Sequence, residues 1–220
     1  MENIVKLIEK APAPKTAGRQ WRDAHQFIAA LERRGFKTRG AGAFSTVMAK
    51  RGSNRVVKIN RSMDDWPSYI VWANKAGFGG TLAPKLFSYR EIEATSGGKF
   101  YVAVVERFEM TVWNFSGHEY GHPKARHQET LRIAMGSRYR SYDAAALSPE
   151  EKRFAAAFNE RFKDCNMDLH ADNFMVRADG SLVCTDPLSS TNHPTPYKRL
   201  RSRDIASLRF ALPECLRIME

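Results

Sequence analysis

The spacing of hydrophobic positions changes several times along the chain, and each change marks an element. Ile4, Val5 and Ile8 fit a short amphipathic helix over residues 1–10, and the prolines and glycine of APAPKTAG then read as a linker. From Trp21 to Arg34 the residues Trp21, Ala24, Phe27, Ile28 and Leu31 recur at helical spacing, with Gly35 placed to end the helix. Residues 35–60, GFKTRGAGAFSTVMAKRGSNRVVKIN, switch to short β-compatible runs broken by Gly40, Gly42 and the turn Arg51-Gly52-Ser53-Asn54, which predicts three antiparallel strands. In the third strand, alternation puts Val56 and Lys58 on one face and Val57 and Ile59 on the other.

A helix follows, with Asp64 or Asp65 as its cap, Pro67 in its first turn, and Tyr69, Ile70, Trp72 and Ala73 as its apolar side. KLFSYREIEA and KFYVAVVERFE flank Thr95-Ser96-Gly97-Gly98 and predict a hairpin. Residues 114–147 have no clear period beyond a helical TLRIA. Ser148-Pro149-Glu150-Glu151 is a capping box, and Phe154, Phe158 and Phe162 continue that helix with one buried stripe, leaving Glu151, Lys152 and Arg153 to solvent. FMVR and LVCT then form a hairpin around Asp179-Gly180. A two-residue turn there sets Asn173 across from Asp186, with Cβ atoms about 4.5–5.5 Å apart.

Composition narrows the classes. At 220 residues and 43% hydrophobic, the chain can bury one core or two small lobes, and it has no internal repeat that would build a solenoid. Three cysteines, Cys165, Cys184 and Cys215, form no CxxC pair, which argues against a zinc ribbon or disulfide framework and fits a reducing cytosol. No apolar run is long enough to span a membrane, and acids interrupt MENIVKLIEK, so neither a membrane anchor nor a secretory signal is expected. The net charge of +11 favours acidic partners and leaves direct binding of nucleic acid open.

The densest chemistry lies in CNMDLHADNFMV, residues 165–176, where Asp168, His170, Asp172 and Asn173 precede an apolar run. Three readings fit it: carboxylates and imidazole ligating a metal, a polar turn between helix and strand, or a phosphoryl-transfer loop in which an Asp handles the attacking hydroxyl and an Asn holds magnesium. The oxygen-rich pair Asn173 and Asp186 suits magnesium beside phosphates better than zinc. The glycine-rich GAGAFSTV adds a turn whose backbone can approach phosphate oxygens.

GAGAFSTV, VVKI, MDLHADN and TDP stand in the order and approximate spacing of the protein-kinase signatures. GFKTRGAGAFSTV, NRVVKI and DLHADNFMVRADGSLVCTDP resemble, more closely, the early serine/threonine protein kinases of T7-type bacteriophages, over residues 35–60 and 164–190. The resemblance implies an α+β fold: a compact bilobal kinase with an antiparallel N-lobe sheet and a reduced, mainly helical C-lobe. It divides the chain into a segment and linker over 1–20 and one kinase-like domain over 21–220, with an N-lobe at about 21–106, a hinge at 106–109 and a C-lobe at about 110–220.

It also implies roles. Gly40, Gly42 and Ser45 form the phosphate-covering loop, Lys58 contacts the α and β phosphates of ATP, and Val47, Val56 and Met175 enclose the adenine. Glu106 to Phe108 resembles the hinge that hydrogen-bonds the adenine edge. Asp168 is the base, Asn173 and Asp186 hold Mg²⁺, and His170 either contacts the γ-phosphate or braces the loop. Ser189, Ser190, Thr191 and Thr195 are candidate autophosphorylation sites.

The chain also departs from the family pattern. Asn166-Met167 replaces His-Arg before Asp168, Pro187-Leu188 replaces Phe-Gly after Asp186, and no glutamate occurs between Lys58 and Glu91 to pair with the lysine. Only 34 residues follow Asp186, which is why a reduced C-lobe is expected. The expected function is an ATP- and Mg²⁺-dependent serine/threonine kinase in the cytoplasm of an infected bacterium, acting on host transcription, RNA-processing or translation proteins. Two alternatives stand beside it: a small-molecule phosphotransferase of the aminoglycoside or choline kinase type, and a nucleotide-binding pseudokinase that inhibits a host factor.

Overall fold

The computed structural model describes residues 21–42, 44–61, 64–108, 123–136 and 144–189. The helix and linker expected over 1–20 lie outside them. The fold is α+β with a five-stranded antiparallel sheet, as expected. The described chain divides into two compact units: one holds residues up to Asp64 together with Leu86–Arg107, and the other holds Asp65–Lys85 and the described residues from Phe108 to 189.

The first unit is one helix on one sheet. Helix α1 (Ala24–Glu32) starts at Asp23, whose carboxylate accepts the Gln26 amide at 2.8 Å. The turn that follows it closes at Gly35, whose φ of 82° only glycine adopts without strain. Strands β1 (Lys37–Ala41), β2 (Ser45–Ala49), β3 (Arg55–Asn60), β4 (Leu86–Glu93) and β5 (Lys99–Glu106) line up in the order β1-β2-β3-β5-β4. Phe27 and Leu31 of α1 enter one core with Met48, Val57, Ile59 and Val102, so the helix covers the sheet face that Lys58 does not share.

The second unit is mainly helical. Helices α2 (Trp66–Lys75), α3 (Pro123–Ala134) and α4 (Pro149–Phe162) accompany the hairpin of β6 (Phe174–Val176) and β7 (Leu182–Cys184). Tyr69 and Trp72 of α2 meet the phenylalanine stripe of α4, with Trp72 edge-on to Phe162 at 5.2 Å and Tyr69 edge-on to Phe158 at 6.2 Å. This aromatic face is why α2 groups with α4 although it lies between β3 and β4 in sequence. The capping box at Ser148 forms in both directions.

Two sequence expectations are corrected. Glu151 is not solvated: it is 7% exposed and its Oε1 lies 2.5 Å from His127 Nε2, because α3, of which the sequence pattern showed only TLRIA, brings an imidazole against the start of α4. The β6–β7 register is shifted by one, with Phe174 opposite Cys184 and Met175 opposite Val183. The loop has three residues, closed by Arg177 N–H to Ser181 O at 2.9 Å and Gly180 N–H to Arg177 O at 2.8 Å, with Gly180 at φ 86°. Asn173 therefore faces Thr185 rather than Asp186.

Candidate active site

In the first unit the candidate residues run along the sheet, from Ser45 opposite Asn60 at one end to Glu106 opposite Arg55 at the other. Gly40 and Gly42 stand out because the fold itself does not need glycine there. Neither has a positive φ, and a Cβ built on either would meet nothing within 4 Å. The turn is tied down by Gly42 N–H to Ser45 O and Arg61 N–H to Phe44 O, at 2.9 and 2.8 Å, and by the Arg61 guanidinium on Gly42 O. Phe44 at its tip is 43% exposed.

Pairing registers then assign the sheet face. Lys58 lies opposite Val47 on β2 and Ala103 on β5, Val56 lies opposite Val105, and Asn60 lies between Ser45 and Tyr101. Ser45, Val47, Val56 and Lys58 thus share the face turned away from α1, since directly opposed residues project to the same side. Lys58 is 6% exposed. Glu106 ends β5 opposite Arg55. Arg107 holds to the β2–β3 turn through its N–H on Asn54 O and its guanidinium on Ser53 O, while Phe108, which belongs to the second unit, lies under the Arg177 guanidinium of that same unit, 5.5 Å from its ring centre. The chain passes from the first unit to the second between Arg107 and Phe108.

In the second unit, Asp168, Asn173 and the residues flanking Asp186 form one hydrogen-bonded knot. Asp168 N–H donates to Pro187 O at 2.8 Å, and Asp168 O accepts Asn173 Nδ2 at 2.6 Å. Asn173 O in turn accepts both the N–H and the hydroxyl of Thr185, at 2.7 and 2.9 Å. Met167 and Leu188 form an isolated antiparallel bridge that joins the two segments. The Asp168 carboxylate is 35% exposed and its Oδ1 lies 2.8 Å from Nε2 of His170, whose own side chain is 77% exposed. Met175 is half-buried between the buried Phe174 and Val176, so it occupies the hairpin face that the unit's core does not fill.

Burial keeps nearby groups protonated. Burial first, then the charge of Asp186, pushes the Cys184 thiol well above its usual range, which removes it as a nucleophile. Tyr69, whose hydroxyl donates to Cys184 O at 2.7 Å, is pushed up by burial and by the neighbouring Cys184 and Asp186.

The donor set at this knot suits the hard ion expected from the sequence. Because Asn173 spends its Nδ2 on Asp168 O, its Oδ1 is left as that side chain's acceptor atom, and Asp186 lies in sequence between the knot residues Thr185 and Pro187. Among the described residues no group of three or more His, Cys, Asp or Glu is arranged to hold a metal, so an ion here needs further oxygens from its ligand or from water. Sequence reasoning missed Asn60 and Tyr101, although alternation from Lys58 pointed to Asn60. Of the candidate modification sites, Ser189 has its N–H on Asn166 O at 3.0 Å; Ser190, Thr191 and Thr195 lie outside the described residues.

No family model and no curated protein matches the chain. Among solved structures, WaaP in complex with acyl carrier protein is similar over 83% of this chain and 73% of that chain, at 16% identity and a TM-score of 0.41. So distant a likeness transfers no residue role.

Proposed function

We propose that the chain is an ATP- and magnesium-dependent phosphotransferase of the protein-kinase type, transferring the γ-phosphoryl group to serine or threonine hydroxyls of proteins. The observation that carries this reading is the Asp168 knot: an acid whose backbone is pinned by the amide of Asn173 and by the residue after Asp186. Such a loop would hold a base and its neighbouring oxygen ligands in fixed relation, which phosphoryl transfer requires because it depends on alignment and electrostatics.

In this reading the Asp168 carboxylate orients the substrate hydroxyl and accepts its proton as its oxygen bonds to the γ-phosphorus and the bond from that phosphorus to the β–γ bridging oxygen breaks, releasing ADP. Lys58 holds the α and β phosphates, and the turn at Gly40 and Gly42 covers them with backbone. Val47, Val56 and Met175 enclose the adenine, whose edge meets the backbone at Glu106 to Phe108. Asn173 Oδ1 and the Asp186 carboxylate would hold the magnesium ion, which neutralises charge on the phosphate oxygens. The resemblance to phage kinases extends the proposal to host transcription, RNA-processing or translation proteins in the cytoplasm of an infected bacterium.

The contact between His170 and Asp168 favours a second reading, in which the acceptor is a small molecule and the exposed imidazole takes part in its recognition. Incubation with γ-labelled ATP and a bacterial lysate separates the two. Label in protein bands supports the first; label confined to small solutes supports the second.

A further inference from the structure

Strand β7 ends at Cys184, two residues before Asp186, and β6 is its one partner among the described strands, so the backbone on its other side needs partners from elsewhere. Helix α2 and the loop after it supply them. Cys184 is fully buried, and both its backbone groups are taken there: its N–H donates to Leu82 O at 2.8 Å, and its O accepts the Tyr69 hydroxyl at 2.7 Å. Thr185 O accepts the Trp66 indole N–H at 2.9 Å. We propose that Trp66 and Tyr69 are positioning residues for the magnesium site, fixing the backbone that leads into Asp186. This role rests on the phosphotransferase reading for its purpose.

Spacing on the helix sets up the pairing. Trp66 and Tyr69 are three residues apart and so share one face at the start of α2, where they are 1% and 0% exposed. Apolar packing alone would be served by phenylalanine at either position. What the indole and the phenol add is a donor each for a main-chain oxygen.

Thr185 passes the constraint on, since its N–H and hydroxyl both donate to Asn173 O, and Asn173 Nδ2 in turn holds Asp168 O. On the far side of Asp186, Pro187 O accepts the Asp168 N–H, so the backbone is tied down on both sides of that carboxylate. The charge of Asp186 is felt on α2: after burial and the neighbouring Cys184, it helps push the Tyr69 hydroxyl up. Trp72 of the same helix differs, because it packs edge-on to Phe162 and makes no bond to β7.

The test reads magnesium binding without phosphotransfer. Calorimetry gives the affinity for ADP over a series of magnesium concentrations for the wild type, Trp66→Phe, Tyr69→Phe and Trp72→Phe. Groups that hold a metal ligand in place govern metal affinity, so the magnesium midpoint should rise about tenfold in Trp66→Phe and in Tyr69→Phe. The metal-free affinity for ADP should stay at the wild-type value in both. Trp72→Phe, which removes packing but no bond to β7, should keep the wild-type midpoint. If Trp66→Phe does not fold, Tyr69→Phe decides alone, since it keeps the ring against Phe158 and loses only a hydroxyl. A wild-type midpoint in folded Trp66→Phe or in Tyr69→Phe overturns the proposal, as does an equal shift in Trp72→Phe. A wild type whose affinity for ADP ignores magnesium would instead sink the metal-site reading, and this inference with it.

Discussion

The side-chain amide of Asn173 donates its Nδ2 hydrogen to the main-chain oxygen of Asp168 at 2.6 Å, so the two residues expected to act as metal ligand and base are held by a single bond. Asn173→Ala removes both the tether and the Oδ1 ligand, whereas Asn173→Asp keeps an oxygen ligand but loses the donor. Turnover should fall about 10²-fold or more in the alanine variant, with a raised magnesium requirement in both. Magnesium titrations of the two variants check this, and wild-type curves would remove Asn173 from the site.

Gly42→Ala should separate fold from function. The new methyl meets open space at an ordinary φ, so the melting temperature should stay within about 2 °C of wild type, in line with small surface effects. The KM for ATP should nevertheless rise about tenfold, because backbone approach to phosphate is obstructed. A normal KM would return GAGAFSTV to the status of an ordinary hairpin turn.

Alkaline pH should weaken the fold. Cys184, Tyr69 and Tyr89 are all held above their ordinary values of 9.0, 10.0 and 10.0, chiefly by burial. The unfolded chain therefore loses protons that the folded chain keeps, and stability falls as pH rises above about 9. Melting temperatures between about pH 8 and 11 should show the decline, and Tyr89→Phe should reduce its slope above about pH 10. A flat profile in the wild type contradicts the assignment.

Self-modification is expected within residues 189–195, where Ser189, Ser190, Thr191 and Thr195 stand beside lysine and arginine at 198, 199, 201 and 203. Phosphate there would carry about −1.5 to −2 charges and pair with those cations. Mass spectrometry after incubation with magnesium and ATP should find it on the wild type and not on Asp168→Asn. Equal phosphate on both proteins would rule out autophosphorylation.

Strong local periodicity made much of the fold legible. Phe27 and Leu31, the alternation around Lys58, the turn glycines and the Ser148 capping box each specify their element with nearby residues. What was hidden depended on distant ones. Nothing in α3's own pattern pairs His127 with Glu151, since that contact exists only once two helices pack. The β6–β7 register turned on whether Asp179-Gly180 closes a two-residue or a three-residue loop, a choice that Gly180's left-handed backbone permits either way. Asp64 read as a helix cap because its partners, Asn60 and Tyr101, come from two strands.

The central claim is that Asp168 is the base of a phosphoryl transfer to protein hydroxyls. The direct measurement is the rate of incorporation of γ-labelled phosphate from ATP into protein serine and threonine, with magnesium, by purified wild type and by Asp168→Asn. The account predicts protein-bound label with the wild type and a loss of about 10²-fold or more in the variant, whose melting temperature should match the wild type. Equal incorporation by the two proteins, or none by the wild type, would contradict it.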